Sequence, residues 1–294
     1  MSCPKRLPRF LFSTVICGLL VTAGSAWGAE FSTEKKTHVE FTARPDPLQQ
    51  QHQYIHLEGE LREGDYTKFM SVLETAFAAA RSRRAIVRLQ LTSPGGDLIE
   101  AMKIGEMVRK LRIKTIADDC SSACFFILVA GVQRFVTPFG SVYLHRPYIE
   151  PSRYSGLDHA EAETTYQSIE RVVRSYLSRM DVPGYLVDEM LRIPSNEVVE
   201  LSAGDFEADV GVHVPFYQER ILATCIRMSP QERIDEGVAG MHEDFESRLG
   251  FSPGYVRYLR EMRVTEHHCL QELVYRDQQG AYSSLPSLRS SPSW

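Results

Sequence analysis

The sequence predicts an α/β fold in which β-strands alternate with α-helices, followed by a helical C-terminal extension. A β-rich run at residues 85–91 is followed by helical apolar spacing over residues 98–111, and this alternation is typical of α/β proteins. Beyond Pro147 helical spacing dominates, with the longest candidate at residues 160–180.

The composition is that of a globular protein. The chain has 294 residues, of which 43% are hydrophobic and 24% charged, a composition that disfavours both long disorder and a multi-span membrane protein. Lys and Arg total 33 against 38 Asp and Glu, a formal charge of −5. No excess of basic residues points to a nucleic-acid partner, and we expect none.

Residues 1–29 have the three parts of a secretory signal peptide. Three basic residues precede an apolar run at residues 10–23, and small residues follow, with expected cleavage after Gly28 or Ala29. Removal of this leader would take the formal charge from −5 to −8. We therefore expect a periplasmic or secreted protein. The alternative is an N-terminal membrane anchor, although the apolar run is about 14 residues and a spanning helix needs roughly 20.

The strands and helices are predicted in chain order from turn residues, capping residues and the periodicity of apolar side chains. Residues 30–53 are a polar, extended or poorly ordered lead-in, and Asp65 is placed where it would cap the first helix. A nearly all-apolar helix at residues 121–131 should be buried on all sides. The other predicted strands are 54–57, 85–91, 114–117 and one or two within 134–144, and the other predicted helices are 98–111, 160–180, one from 184 to 191, and 201–210.

These elements divide the chain into a catalytic domain and flanking segments. The domain covers residues 54–215, and residues 216–280 form a charged, helix-rich extension. The Ser- and Pro-rich tail, residues 281–294, is expected to be disordered.

Four cysteines remain after cleavage: Cys120, Cys124, Cys225 and Cys269. An exported protein tolerates disulfides, so Cys120 could bridge Cys124 locally and Cys225 could join Cys269. Sequence alone leaves the connectivity open, and buried free thiols are the alternative.

Three features in a fixed order carry the chemistry: the Ser-Pro-Gly-Gly turn at residues 93–96, Ser122 and His145. Glycines leave backbone N–H groups bare against a substrate carbonyl, as stabilisation of an oxyanion requires. Ser122 lies at the expected start of a helix and suits a nucleophile, and His145 ends a strand and suits its general base. Taken singly, each has a structural alternative: an ordinary turn, a helix cap and a structural histidine.

The runs SPGGD, CSSACFFILVAG and RFVTPFGSVYLHRP together resemble the proteolytic subunit of the Clp protease, from about Tyr54 to Val212. The resemblance implies a ClpP/crotonase-like fold of repeated strand-strand-helix units. It also implies that Ser122 is the nucleophile and His145 the base.

The same resemblance assigns the oxyanion hole to the N–H groups of Gly96 and Ala123, with Gly95 shaping the loop. The expected reaction is acyl transfer through an acyl-enzyme, which needs no cofactor and no metal. The implied substrate is a peptide or protein, and the implied assembly is a homo-oligomer.

One departure from the family concerns the third catalytic residue. The family's acid lies three residues before a Leu-Ser-Ala stretch, where this chain has Val198. Ser195, Asn196, Glu197 and Glu200 are nearby substitutes, of which Asn196 is preferred because an amide can orient a histidine. The site is therefore expected to be a Ser-His dyad, an altered triad or catalytically silent.

The favoured function is an exported serine peptidase that acts on short or unfolded peptides, without the unfolding ATPase of cytoplasmic relatives. The alternatives are a silent binding or scaffold protein that keeps the fold, and an activity on thioesters. Metal binding at His267-His268-Cys269 is disfavoured, because adjacent histidines on a regular helix cannot both face one ion.

Overall fold

The computed structural model describes residues 30–39, 49–147, 154–194, 196–241 and 250–285. Six strands form one sheet in the order in which they occur in the sequence. They are β1 (Glu30–Val39), β2 (Gln49–Glu58), β3 (Ile86–Ser93), β4 (Lys114–Ser121), β5 (Arg134–Leu144) and β6 (Val199–Ser202).

In the described part of the chain, helices alternate with strands β2 to β5, and only helices follow β6. They are α1 (Asp65–Arg83), α2 (Leu98–Lys110), α3 (Cys124–Leu128), α4 (His159–Arg179), α5 (Gly184–Arg192), α6 (Ala203–Asp209), α7 (Pro215–Cys225), α8 (Pro230–Met241) and α9 (Pro253–Ser283). The predicted α/β class and the helical C-terminal part are both present.

The four central strands, β2 to β5, run parallel, and the two outer strands, β1 and β6, run antiparallel to their neighbours. A helix follows each of β2, β3 and β4, so the carboxyl ends of the central strands meet at one edge of the sheet. The central part is therefore built from single strands joined by helices, and a repeat of strand-strand-helix units is not confirmed.

The core lies where α1, α2 and α3 cover the sheet. Helix α1 buries one face, including Phe69, Leu73 and Phe77, and every residue of α3 is buried. Removing this much apolar surface from water is the main force that holds helices and sheet together.

Local predictions for residues 30–53, Asp65 and residues 201–210 differ from the structure. The lead-in, residues 30–53, supplies β1 and the first half of β2, because the two strands pair with each other along their length. Asp65 is the first residue of α1 rather than its cap; the cap is Gly64, and the Asp65 carboxylate accepts from the Arg62 N–H over 2.8 Å. The predicted helix at 201–210 is a strand followed by a short helix, since residues 199–202 pair with β5.

The apolar helix predicted at residues 121–131 is the shorter α3. Strand β4 extends to Ser121, because residues 119–121 pair with residues 141–143 of β5. The helix ends at Leu128, whose carbonyl accepts from the buried Thr115 hydroxyl over 2.7 Å. Side-chain hydrophobicity predicted the burial, but pairing with the neighbouring strand sets the length.

The C-terminal extension packs on the sheet. The buried Gln278 amide of α9 accepts from the N–H of Val87 at 2.8 Å and donates to the Val87 carbonyl at 2.9 Å. The Tyr282 ring stacks on Phe77 with centroids 4.4 Å apart. Helix α9 ends at Ser283, past the predicted end of the extension at residue 280. Val87 lies near the amino end of β3, opposite the edge that carries the predicted site residues.

None of the helices in the described part of the chain is long and apolar enough to cross a membrane. The predicted signal peptide, residues 1–29, lies outside the described residues, as does the end of the predicted tail, residues 286–294.

Candidate functional site

The carboxyl ends of β3, β4 and β5 bring the three predicted motifs to one edge of the sheet. Ser93, the last residue of β3, is in register with Cys120 of β4, and Ser121 of β4 is in register with Tyr143 of β5. The chain leaves these three strands into the glycine turn, Ser122 and His145 respectively. Parallel pairing therefore brings the glycine turn, Ser122 and His145, which are far apart in the sequence, to the ends of adjacent strands.

Ser122 forms a sharp turn between β4 and α3. Its φ of 56° lies in the left-handed region, which a residue with a side chain seldom adopts. Its N–H donates to the Tyr143 carbonyl over 3.0 Å, and its carbonyl accepts from the Phe125 N–H over 3.1 Å. The side chain is half-buried. The turn thus holds the hydroxyl at a fixed point of the sheet edge while leaving it partly accessible.

Gly95 packs directly on this turn. Its φ is +98°, and a Cβ added there would lie 2.6 Å from the Ser122 Cβ and 2.8 Å from the Ala123 nitrogen. No residue with a side chain fits at that distance, so the glycine is required by both conformation and space. The predicted role of Gly95 in shaping the loop agrees with this contact.

The two glycines differ in what their N–H groups do. The Gly95 N–H donates to the Ser93 hydroxyl oxygen over 3.1 Å, and that hydroxyl donates to the Gly59 carbonyl over 2.6 Å. The Gly95 carbonyl accepts from the Leu61 N–H over 2.7 Å. Gly95 is therefore fully engaged in holding the loop.

Gly96 lies against Leu61, and a Cβ added there would be 2.1 Å from the Leu61 carbonyl oxygen. Among the hydrogen bonds of the described residues, none uses the N–H of Gly96 or the N–H of Ala123. These are the two donors that the sequence resemblance assigned to the oxyanion hole; Gly96 is exposed and Ala123 is buried, and their role stays a prediction. Because α3 has five residues, we attribute no further charge stabilisation to its amino end.

His145 follows β5 directly and is half-buried. Its Nδ1 lies 2.9 Å from the Arg146 carbonyl oxygen. A carbonyl oxygen can only accept, so this hydrogen bond places the proton of the neutral ring on Nδ1. The lone pair is then on Nε2, the arrangement that a histidine general base needs.

Strand β6 brings the region of the missing acid beside His145. Val199 of β6 is in register with Leu144, and Val198, which precedes it, is 59% exposed. The position expected to carry the acid thus lies next to the histidine, but an aliphatic side chain occupies it.

Of the candidate substitutes in the described part of the chain, Asn196 and Glu197 precede β6 and Glu200 lies within it. Asn196 is exposed, and its role in orienting His145 stays a prediction. The Glu200 carboxylate accepts from the Ser141 hydroxyl over 2.6 Å, farther along the strand pair. Ser195 lies outside the described residues.

Both disulfides considered from the sequence are formed. Cys120 is bonded to Cys124 across the Ser122 turn, and Cys225 of α7 is bonded to Cys269 of α9. Cys120 and Cys124 are consequently not thiolate nucleophiles. Cys269, as a disulfide sulfur, does not supply a thiolate to the His267-His268-Cys269 cluster.

Prediction from the sequence missed three groups that build the site. They are the Ser93 hydroxyl, which holds Gly95, the Leu61 backbone, which holds both glycines, and the Tyr143 carbonyl, which holds Ser122. Only Ser93 carried a local signal, because a serine hydroxyl commonly bonds to the N–H two residues later. The other two groups are backbone atoms of segments distant in sequence, so no pattern of residue types predicts their role.

Comparisons with known proteins gave a structural likeness and no match in sequence. No family model matches the chain, and no curated protein matches it. The solved structure of a ClpP1 mutant from Listeria monocytogenes is similar with a TM-score of 0.42 and 17% sequence identity; the match covers 54% of this chain and 88% of that one.

Proposed function

We propose that this chain is an exported serine hydrolase, a peptidase that cleaves short or unfolded peptides through an acyl-enzyme. The observation that carries the proposal is the left-handed turn at Ser122, hydrogen-bonded to the strand that ends at His145 and packed against Gly95. The similarity of the three sequence runs to the Clp proteolytic subunit supports the same chemistry.

In the proposed reaction, the Ser122 oxygen attacks the carbonyl carbon of the scissile bond and its proton passes to Nε2 of His145. The negative charge that develops on the carbonyl oxygen is stabilised by the N–H groups of Gly96 and Ala123. The protonated histidine then gives its proton to the leaving amine. Water, activated by the same histidine, hydrolyses the ester and frees Ser122.

The orientation of the histidine is supplied in this proposal by the Arg146 carbonyl rather than by a carboxylate. A carbonyl selects the same tautomer as an aspartate, but it lacks the full negative charge that stabilises the imidazolium. We therefore propose a Ser-His dyad with slow turnover, to which Asn196 adds a second orienting group.

The proposed location is the periplasm or the exterior of the cell. The leader sequence and the two disulfides support it, because disulfides persist in oxidising compartments. The proposed assembly is a homo-oligomer, and the proposed substrates need no unfolding ATPase.

The second candidate function is a silent binding or scaffold protein with the same fold. The observation in its favour is Val198, an exposed aliphatic side chain beside His145 where the family has its acid. A protein that binds peptides at this edge without cleaving them would tolerate that change.

Fluorophosphonate labelling of the purified mature protein distinguishes the two. The reagent phosphonylates an activated serine, so a peptidase is expected to be labelled, and Ser122→Ala and His145→Ala are each expected to lose the label. Ser121→Ala, one residue earlier, is the matched control and should keep it. A folded wild type that takes no label would refute the peptidase and favour the silent binder.

A further inference from the structure

The Cys120–Cys124 disulfide spans the turn that carries Ser122. Cys120 is the second-last residue of β4 and Cys124 is the first residue of α3. Their Cα atoms are 5.3 Å apart, and both side chains are fully buried. The closed loop contains only Ser121, Ser122 and Ala123. The disulfide thus links the end of the strand to the start of the helix across the proposed nucleophile.

The Ser122 conformation needs support from its surroundings. A left-handed φ is disfavoured for a residue with a side chain relative to the right-handed region. The hydrogen bond from Ser122 to Tyr143 and the contact with Gly95 oppose relaxation. Neither of them links the strand covalently to α3, whose five residues provide few internal hydrogen bonds.

We propose that Cys120 and Cys124 are a covalent positioning pair for Ser122, and that the hydrolase is active only when they are oxidised. The inference rests on the proposed function. With the disulfide in place, the strand end and the helix start keep their separation, which opposes rotation of residue 122 out of the left-handed region. Without it, rotation at residue 122 moves the Ser122 hydroxyl and the Ala123 N–H together, so nucleophile and oxyanion donor are displaced in one step.

The redox step is the two-electron reduction of one disulfide by a dithiol. The S–S bond breaks, each cysteine sulfur gains one hydrogen, and the dithiol is oxidised to its own disulfide. The reverse reaction, with an oxidised dithiol as the acceptor of electrons, restores the bond. An exported chain would thus acquire its active geometry only in an oxidising compartment.

The other disulfide provides a matched control. Cys225–Cys269 joins α7 to α9, and the segment that it stabilises packs at the opposite end of the sheet from Ser122. Three proteins are compared: wild type, Cys120→Ala/Cys124→Ala and Cys225→Ala/Cys269→Ala. The rate of fluorophosphonate labelling is measured beside the thermal unfolding midpoint. We expect at least a tenfold slower rate for the first variant and less than a twofold change for the second, each on protein that is still folded.

A reversible version of the test covers the case in which the Cys120→Ala/Cys124→Ala variant does not fold. In the Cys225→Ala/Cys269→Ala protein only the pair at the turn remains. Reduction with dithiothreitol should stop labelling, and reoxidation should restore it. A folded protein that is labelled equally fast with and without the Cys120–Cys124 bond would overturn the inference and leave the proposed function standing.

Amide hydrogen exchange separates failure of the inference from failure of the proposed function. The Ser122 and Phe125 N–H groups bond across the turn and report its geometry whether or not the serine reacts. Loss of the disulfide should accelerate exchange at these two amides at least tenfold, while the Val87 amide at the far end of the sheet stays protected. If the wild type takes no label, the proposed function fails. Faster exchange at the turn would still support the role of the disulfide in holding the turn, and unchanged exchange would overturn that role.

Discussion

The Ser122 N–H donates to the Tyr143 carbonyl over 3.0 Å, which joins the turn of the proposed nucleophile to the strand that ends at the proposed base. Tyr143 is two residues before His145, so this hydrogen bond fixes the position of Ser122 relative to the end of β5, where His145 follows. The position of Ser122 at this sheet edge is therefore set mainly by backbone contacts. Mutations that disturb backbone packing near Ser122 should affect the reaction even when they touch neither side chain.

Gly95→Ala tests the contact between the glycine turn and Ser122. The new Cβ would lie 2.6 Å from the Ser122 Cβ, at a φ of +98°. We expect a loss of about 2–4 kcal/mol in the free energy of unfolding and a loss of fluorophosphonate labelling. The measurements are urea unfolding and the labelling rate.

Gly64→Ala is the matched control for this prediction. Gly64 has a φ of +91°, and a Cβ added there meets nothing within 4 Å. It should cost about 1–2 kcal/mol from backbone conformation alone and leave labelling unchanged. Equal effects of the two alanines on labelling would contradict the role given to Gly95.

Arg134→Met tests a buried cation held by helix ends. Its guanidinium donates to the carbonyls of Val129, Met180 and Val210, the C-terminal caps of α3, α4 and α6. Burial, with a smaller contribution from nearby Arg109, lowers the pKa of Arg134 to about 10, so it remains charged at neutral pH.

Methionine fills a similar volume but removes the donor to the Val210 carbonyl, while Arg109 still donates to the carbonyls of Val129 and Met180. We expect a loss of about 3 kcal/mol in unfolding free energy, because charged hydrogen bonds at three helix ends are lost together. Arg174, which forms exposed ion pairs with Glu170 and Asp188, is the control. Arg174→Ala should cost no more than about 1 kcal/mol. Unfolding in guanidinium chloride measures the loss for each variant. Similar losses for Arg134→Met and Arg174→Ala would count against the role of Arg134 in holding the helix ends.

Gln278→Leu tests whether the extension is part of the folded unit. β4 begins opposite Arg88, so Val87 lies beyond the strand pairing on that side, and the Gln278 amide bonds to its N–H and carbonyl. Leucine would leave both groups buried and unpaired, at a cost of about 2–3 kcal/mol. Gln218→Leu, at an exposed position of α7, should change the unfolding free energy by less than about 0.5 kcal/mol. A Gln278→Leu protein as stable as the wild type would show that α9 docks without this bond.

His213 should make stability depend on pH. Burial, followed by the positive charges of Lys114 and Arg134, lowers the pKa of His213 below 6.5 in the folded state. As pH falls through 6.5, the unfolded chain takes up a proton that the folded protein does not, so the free energy of unfolding decreases. His213→Gln should remove this part of the dependence. Urea unfolding of both proteins between about pH 7.5 and about pH 5.5 measures it, and parallel curves would refute the prediction.

Residues 121–131 show which features of the fold could be predicted from the sequence and which could not. Their hydrophobicity correctly predicted the burial of residues 123–131, whereas residues 121 and 122 are half-buried. The Ser-Pro-Gly-Gly turn was assigned correctly to a strand-to-helix connection. The left-handed turn at Ser122 was not predictable, because it results from pairing with β5 and from the contact with Gly95, both distant in sequence.

What the sequence determined by itself is the α/β class, most of the helices and the order of the three motifs that the strands bring to one edge of the sheet. These properties depend on side-chain periodicity and turn chemistry within about ten residues, which a sequence displays directly. The tertiary structure decided that Cys225 pairs with Cys269, that β6 is a strand, and that α9 docks on β3 through Gln278. Each of these depends on a partner tens of residues away, and a hydrogen bond or a disulfide exists only once folding has brought both partners together.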